Sequence, residues 1–195
     1  MRPDAPLPTL RLSSPTLIAQ ARDWQTQPVS LDSPAIDVMT DLTRVKAAAT
    51  HPSTPLRQAE QIMIYQGVRM LFVVSAMPSI EGLITTTDLH GDRPMRLVQQ
   101  RGSHYEELVV ADVMTRLSML DAIDFRDMRT ATVSNVIATL RRHGRHHLLV
   151  AEAAPDEQRR VRGVISRTQI ERQLGTPIPI TEVANSFPDV VQMLS

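Results

Sequence analysis

The sequence predicts an α+β protein made of two copies of one helix-and-strand unit. Three observations predict it. The tetrapeptide DVMT stands at Asp37–Thr40 and again at Asp112–Thr115. Each copy is followed by an amphipathic stretch that stops at a glycine, "TPLRQAEQIMIYQG" in the first and "TVSNVIATLRRHG" in the second. Each then continues with an apolar run and a glycine-led strand, first "VRMLFVV" and "IEGLITTTDL", then "RHHLLV" and "VRGVISRTQI". The offset is 75 residues at Met39 and Met114, 77 at Gly67 and Gly144, and 81 at Gly82 and Gly163. So slow a drift marks a duplicated supersecondary unit, with insertion tolerated between its two strands.

Local chemistry accounts for each element in turn. Thr54 is a helix cap and Pro55 fits a first helical position, where its missing N–H costs nothing. Leu56, Ala59, Ile62 and Met63 share one helical face, and Gly67 stops the helix in the left-handed region. Met70–Val74 is an unbroken apolar run of strand length, and Leu83–Thr85 is its partner strand. A short helix begins at Thr86. In the second copy Thr132 caps, Val133, Val136, Ile137 and Leu140 form the stripe, and Gly144 ends it. His147–Val150 and Val164–Ser166 are the strands, and a helix from Arg167 ends near Leu174. Between these strands "AEAAPDEQRRVR" reads as an enlarged charged loop. The chain divides into a proline-rich arm over 1–34, a first unit over 35–92, a crossover with a helix over 93–110, a second unit over 111–175 and a tail over 176–195. The arm is expected to be irregular with at most a short helix around Leu17–Trp24, and the tail to form one more helix over Thr181–Leu194, kinked or interrupted by Pro188. A unit of about sixty residues buries too little surface to be stable alone, so the two copies are expected to bury their apolar faces against each other.

Composition narrows the function. Lys plus Arg and Asp plus Glu number 21 each, so the net charge gives no reason to expect binding to DNA or to a membrane surface. With no cysteine, disulfides, thiolate nucleophiles and cysteine-ligated metals are excluded, which fits a cytoplasmic location. The apolar runs are strand length and too short to cross a bilayer.

The paired pattern resembles the CBS domain family, whose tandem pairs are called Bateman modules. The resemblance covers Asp37 to about Leu174 and rests on the "MT" lead-ins and on a signature of glycine, two apolar residues, Thr or Ser, two variable residues, Asp and an apolar residue. "GLITTTDL" at Gly82–Leu89 fits it throughout. "GVISRTQI" at Gly163–Ile170 departs at Gln169, where Asp belongs. The resemblance implies an α/β sandwich: two pseudo-symmetric β-α-β-β-α units packed through their sheets.

A strand that turns straight into a helix puts free N–H groups and the positive dipole end at one spot, which suits phosphate. Thr85, Thr86 and Thr87 add hydroxyls there, and Asp88 is an acceptor for a ribose diol. The same residues are also ordinary capping groups. The resemblance assigns ribose to Asp88 and phosphate to Thr85 and Thr86. It adds Arg69, Arg145 and His146, which follow the helix glycines, as phosphate-reaching groups, and places the base near Thr50, His51 and Pro52. The second site, at Ser166 and Gln169, is degenerate, because Gln169 is neutral and longer than Asp. No metal site is expected at His143, His146 and His147, since Gly144 interrupts the helix that would align them.

The expectation is therefore a non-catalytic ligand-sensing protein with one main site per chain. Its ligand is AMP, ADP or ATP, or else S-adenosylmethionine or NAD, and no cofactor is required. By resemblance it forms a homodimer and acts on a separate regulated protein. The alternative is a structural interaction module with empty pockets.

Overall fold

The computed structural model describes residues 11, 27–154 and 158–179. The helices expected around 17–24 and over 181–194 lie outside the described residues. A 3₁₀ turn over Ala35–Val38 leads into β1 (Met39–Asp41), followed by β2 (Ala49–Thr50), α1 (Leu56–Gln66), β3 (Met70–Val73), β4 (Gly82–Thr85), α2 (Thr86–His90) and α3 (Asp92–Arg101). The second copy opens with α4 (Val110–Val113) and β5 (Thr115–Arg116). It continues with β6 (Ala122–Asp124), α5 (Phe125–Met128), α6 (Val133–His143), β7 (His147–Ala153), β8 (Arg159–Ser166) and α7 (Arg167–Leu174). The long helices follow their apolar stripes. Leu56, Ala59 and Met63 are buried on α1, and Val133, Val136, Ile137 and Leu140 on α6. Both end on left-handed glycines, Gly67 at φ 65° and Gly144 at φ 58°.

The two sheets have strand orders β2-β3-β4-β5 and β1-β8-β7-β6. Each DVMT strand has therefore left its own copy: β1 pairs with β8 of the second, and β5 with β4 of the first. The registers correspond residue for residue. Thr40 faces Val164 and Asp41 faces Gly163, as Thr115 faces Leu83 and Arg116 faces Gly82. This explains the glycine that heads each signature. A Cβ on Gly82 would overlap the Thr115 carbonyl oxygen, and one on Gly163 would lie 2.6 Å from the Met39 sulfur. The lead-in strand of the opposite copy occupies the space a side chain would need.

The exchange also serves the helix ends. The Leu56 N–H, at the start of α1, donates to the Leu108 carbonyl, and the Val133 N–H, at the start of α6, donates to that of Ser33. Each lead-in segment thus satisfies an N–H that the helix itself leaves without a partner. Thr54, expected as the α1 cap, is displaced from that role. Pro55 occupies the cap position, and the Thr54 hydroxyl accepts from Thr50 Oγ1 at 2.9 Å. On α6 Thr132 is the cap residue, and its N–H donates to Asn135 Oδ1 at 2.9 Å.

Each sheet carries a core on its helical side. One includes Leu56, Met63, Leu71, Ile84, Val110 and Met114. The other includes Val38, Met39, Val136, Leu140, Ile165 and Ile170. Each therefore contains residues of both copies. The sheets meet through Phe72, Val74, Leu83, Leu149 and Val164, so the chain is an α+β sandwich of two pseudo-symmetric units packed through their sheets. At roughly 1.5–3 kcal/mol per fully buried large apolar side chain, this third cluster is a substantial cohesive contact. The insertion expected as a loop instead lengthens a hairpin: β7 and β8 stay paired out to Ala153 and Arg159, past an irregularity at Val150/Ala151.

Candidate functional site

The signature turn of the first copy is organised by its own side chains. Thr85 is the N-cap of α2, and Asp88 Oδ2 accepts from the Thr85 N–H at 2.8 Å and from its hydroxyl at 2.7 Å. The Asp88 N–H donates back to Thr85 Oγ1 at 3.3 Å. Capping therefore does occur, and it uses one carboxylate oxygen, while Oδ1 receives no hydrogen bond from the described residues. Burial pushes the Asp88 carboxyl above its ordinary value; the bonds from Thr85 and the charges of Arg93 and Arg145 only partly counter it.

Asp88 opens onto a crevice of about 220 Å³ between the two sheets. The first copy contributes Leu83, Thr85, Thr87 and Asp88. The second contributes Thr115, Leu120 and Asp121 on one side and the stretch from Gly144 to Leu149 on the other. Arg145 stands at the exposed rim, its Nη2 3.4 Å from the Met119 carbonyl. Asp121 Oδ2 lies 3.3 Å from His143 Nδ1. His147 is driven down to about 4 by burial, with electrostatic repulsion from the neighbouring His146 and Arg69 adding to the effect, so its ring is neutral at physiological pH.

The sequence-predicted residues separate here. Thr85, Asp88, Arg145 and His146 come together in the crevice, whereas Thr86 and Arg69 are not among its lining residues. Thr86 is fixed through its N–H to the Arg69 carbonyl at 3.0 Å, the counterpart of the Arg167 N–H bonded to the His146 carbonyl at 2.9 Å. Thr50, His51 and Pro52 also stand away from it. Thr50 lies on β2, at the edge of the first sheet opposite β5, and the apolar wall near Asp88 comes from Leu120 of the other copy. The strand exchange brings Thr115 and, shortly after it, Leu120 beside Asp88, while β2 pairs with β3 at the far edge of the sheet. Thr87, whose hydroxyl the turn was expected to offer, lines the crevice, and Thr115, Asp121 and His147 are polar lining groups that the sequence assignment left out. The signal for Thr115 was Gly82, a strand glycine that requires another backbone to pass close by.

At the equivalent turn of the second copy Ser166 is the N-cap of α7 and makes no side-chain cap bond. Gln169 is buried, and its Nε2 donates to Gln173 Oε1 at 3.0 Å. Gln173 Nε2 in turn donates to the carbonyls of Gln27 and Asp37 at 3.2 and 3.1 Å. The position that corresponds to Asp88 is thus engaged inside the protein, and by strand register Val68 and Ala48 are the counterparts of Arg145 and Asp121.

Residues 128–175 match the sequence model of the CBS domain. No curated protein matches the chain. Among solved structures, an uncharacterized conserved protein from Pyrococcus horikoshii superposes with a TM-score of 0.53 at 19% identity, over 78% of this chain and 100% of that one. CBSX2, a CBS-pair protein from Arabidopsis thaliana, solved in complex with AMP, superposes with a TM-score of 0.51 at 19% identity, over 72% of this chain and 94% of that one. At this identity the likeness shows the fold.

Proposed function

From the fold of a tandem CBS pair and the match of residues 128–175 to the CBS domain model, we propose that the chain is a non-catalytic ligand-sensing module. Its ligand is an adenine nucleotide or adenosyl compound, held in the crevice at Asp88 with one main site per chain. The observation that carries this reading is the convergence of an acceptor, hydroxyls and a cation on one inter-sheet crevice. Asp88 keeps Oδ1 open beside Thr85 and Thr87, with Arg145 at the rim. A buried carboxylate oxygen suits a ribose diol, Arg145 suits phosphate, and Leu83 and Leu120 give a flat base an apolar wall. The AMP complex of CBSX2 supports the same class of ligand on the same fold.

The rest of the reading follows the family. Ligand binding changes the relative packing of the two units and is passed to a separate regulated protein. Two chains pair as a homodimer through the outer faces of the long helices, where Ile64 and Tyr65 on α1 are 74% and 93% exposed. Among the described residues no helix is long and apolar enough to cross a membrane, and the module is proposed to act in the cytoplasm. The test is calorimetry with AMP, ADP, ATP, S-adenosylmethionine and NAD, together with mass spectrometry of small molecules released from gently purified protein. Binding of one compound at about one per chain supports the reading. No binding by any of them, and none carried through purification, overturns it in favour of a structural interaction module. The engaged state of Gln169 already favours that second reading for the other half of the chain.

A further inference from the structure

The two copies carry opposite charges at positions that the strand exchange brings side by side. In the second sheet, Asp41 of β1 faces Gly163, and its Oδ2 lies 3.0 Å from Nη2 of Arg162, the residue before that glycine. Both side chains are largely buried, at 14% and 19% exposure. Arg162 also donates to Thr43 Oγ1 at 2.8 Å, lies 3.6 Å from Glu152, and sits over the Phe125 ring at 5.0 Å. Arg44 adds a second cation 3.8 Å from Asp41. In the first sheet, Arg116 of β5 faces Gly82, and the residue before that glycine is Glu81. The backbone contacts match: the Leu42 N–H donates to the Arg162 carbonyl at 3.0 Å, and the Leu117 N–H to the Glu81 carbonyl at 2.8 Å. So the lead-in strand is acidic in the first copy and basic in the second, while the glycine-flanking residue is acidic in the first and basic in the second.

We infer that these four charges specify which sheet each lead-in strand joins. Backbone pairing cannot make this choice, because both strands spell the same DVMT and both sheets offer a glycine in the same register. Charge can. Exchanged, Asp41 pairs with Arg162, while Arg116 and Glu81, both exposed, are neighbours in register that make no ion pair. If each strand stayed with its own copy, Asp41 would be set beside Glu81 and Arg116 beside Arg162, two like-charge approaches in place of one favourable pair. The pair at Asp41 and Arg162 carries most of the discrimination, because it is largely buried and multiply bonded, so an unfavourable partner there cannot be solvated away.

The test uses the full chain, which has no cysteine of its own. Thr40→Cys with Val164→Cys reports the exchanged strand, since these residues are register partners. Thr40→Cys with Leu83→Cys reports the strand staying at home. With native charges, mild oxidation should give only the first crosslink. In an Asp41→Arg/Arg116→Asp background, which makes each lead-in strand complementary to its own sheet, the exchanged crosslink should fall by about an order of magnitude. Adding Arg162→Asp and Glu81→Arg to that background restores complementary charges in the exchanged arrangement, and the native crosslink yield should return. An unchanged crosslink in the first background overturns the inference. So does a loss that the compensating charges leave in place, because that loss would come from shape or failed folding and not from charge.

Discussion

The close approach at Gly82 gives the sharpest test of the strand exchange. In Gly82→Ala the new Cβ overlaps the Thr115 carbonyl oxygen and lies 3.2 Å from Arg116 Cα, all backbone atoms of β5. No side-chain rotation relieves this, so β5 must shift as a strand. That shift weakens the Leu117 N–H bond to the Glu81 carbonyl and moves Thr115 in the crevice wall. Overpacking costs ~1–3 kcal/mol and a lost backbone bond about 1, so the expected destabilisation is about 3 kcal/mol. For a chain of this size that is a fall in Tm of roughly 6–12 °C. Gly163→Ala is the internal comparison. Its Cβ meets the Met39 sulfur at 2.6 Å and Cγ at 2.7 Å, with the Thr40 oxygen at 2.9 Å. Most of that conflict is with a flexible side chain, so the expected cost is lower, about 1–2 kcal/mol. Neither glycine has a positive φ, so alanine brings no backbone strain and the two variants report close approach alone. Paired urea and thermal unfolding of the three proteins measures the difference. A Gly82→Ala protein within about 0.5 kcal/mol of the parent, or less destabilised than Gly163→Ala, would refute the placement of β5 against β4.

Further outcomes follow from the site and its surroundings. Asp88→Ala removes the proposed ribose acceptor and one half of a capping box, so affinity for the bound nucleotide should drop about ten- to a hundredfold while stability falls by about 1 kcal/mol; calorimetry and thermal melts separate the two effects. Gln169→Asp should leave the stoichiometry at one ligand per chain, because the side chain is buried against Gln173, and should lower Tm by placing a carboxylate against Gln173 Oε1. His147 titrates at about 4 in the folded chain against an ordinary 6.5, so the unfolded state takes up the proton first. Stability is full above about pH 6.5 and is lost as pH falls toward 4, by on the order of 3 kcal/mol, and His147→Leu should flatten that window in a series of melts. Asp41 is held below its ordinary value: burial raises it, but the Thr43 bonds and the charges of Arg162 and Arg44 outweigh that. Its contribution is present above about pH 4 and lost below, and Asp41→Asn should remove that acid-side slope.

The sequence by itself determined the elements and their duplication. Leu56, Ala59 and Met63 declare a helix, Gly67 and Gly144 end two of them, and "GLITTTDL" declares a strand turning into a capped helix, because these are choices among local conformations that near neighbours settle. The resemblance carried by the repeat grouped Asp88, Thr85, Arg145 and His146 with Thr86 and Arg69, and of these the first four line the crevice. Tertiary structure alone decided which sheet each DVMT strand joins, and with it the part of the crevice wall that Thr115 and Leu120 supply beside Asp88. Two identical lead-ins and two equivalent glycine strands offer the same backbone hydrogen bonds, so no local pattern distinguishes the pairings. The choice falls to contacts far apart in sequence: Met39 over Gly163, Asp41 on Arg162, and Gln173 reaching the Asp37 carbonyl. They exist only once both sheets are in place.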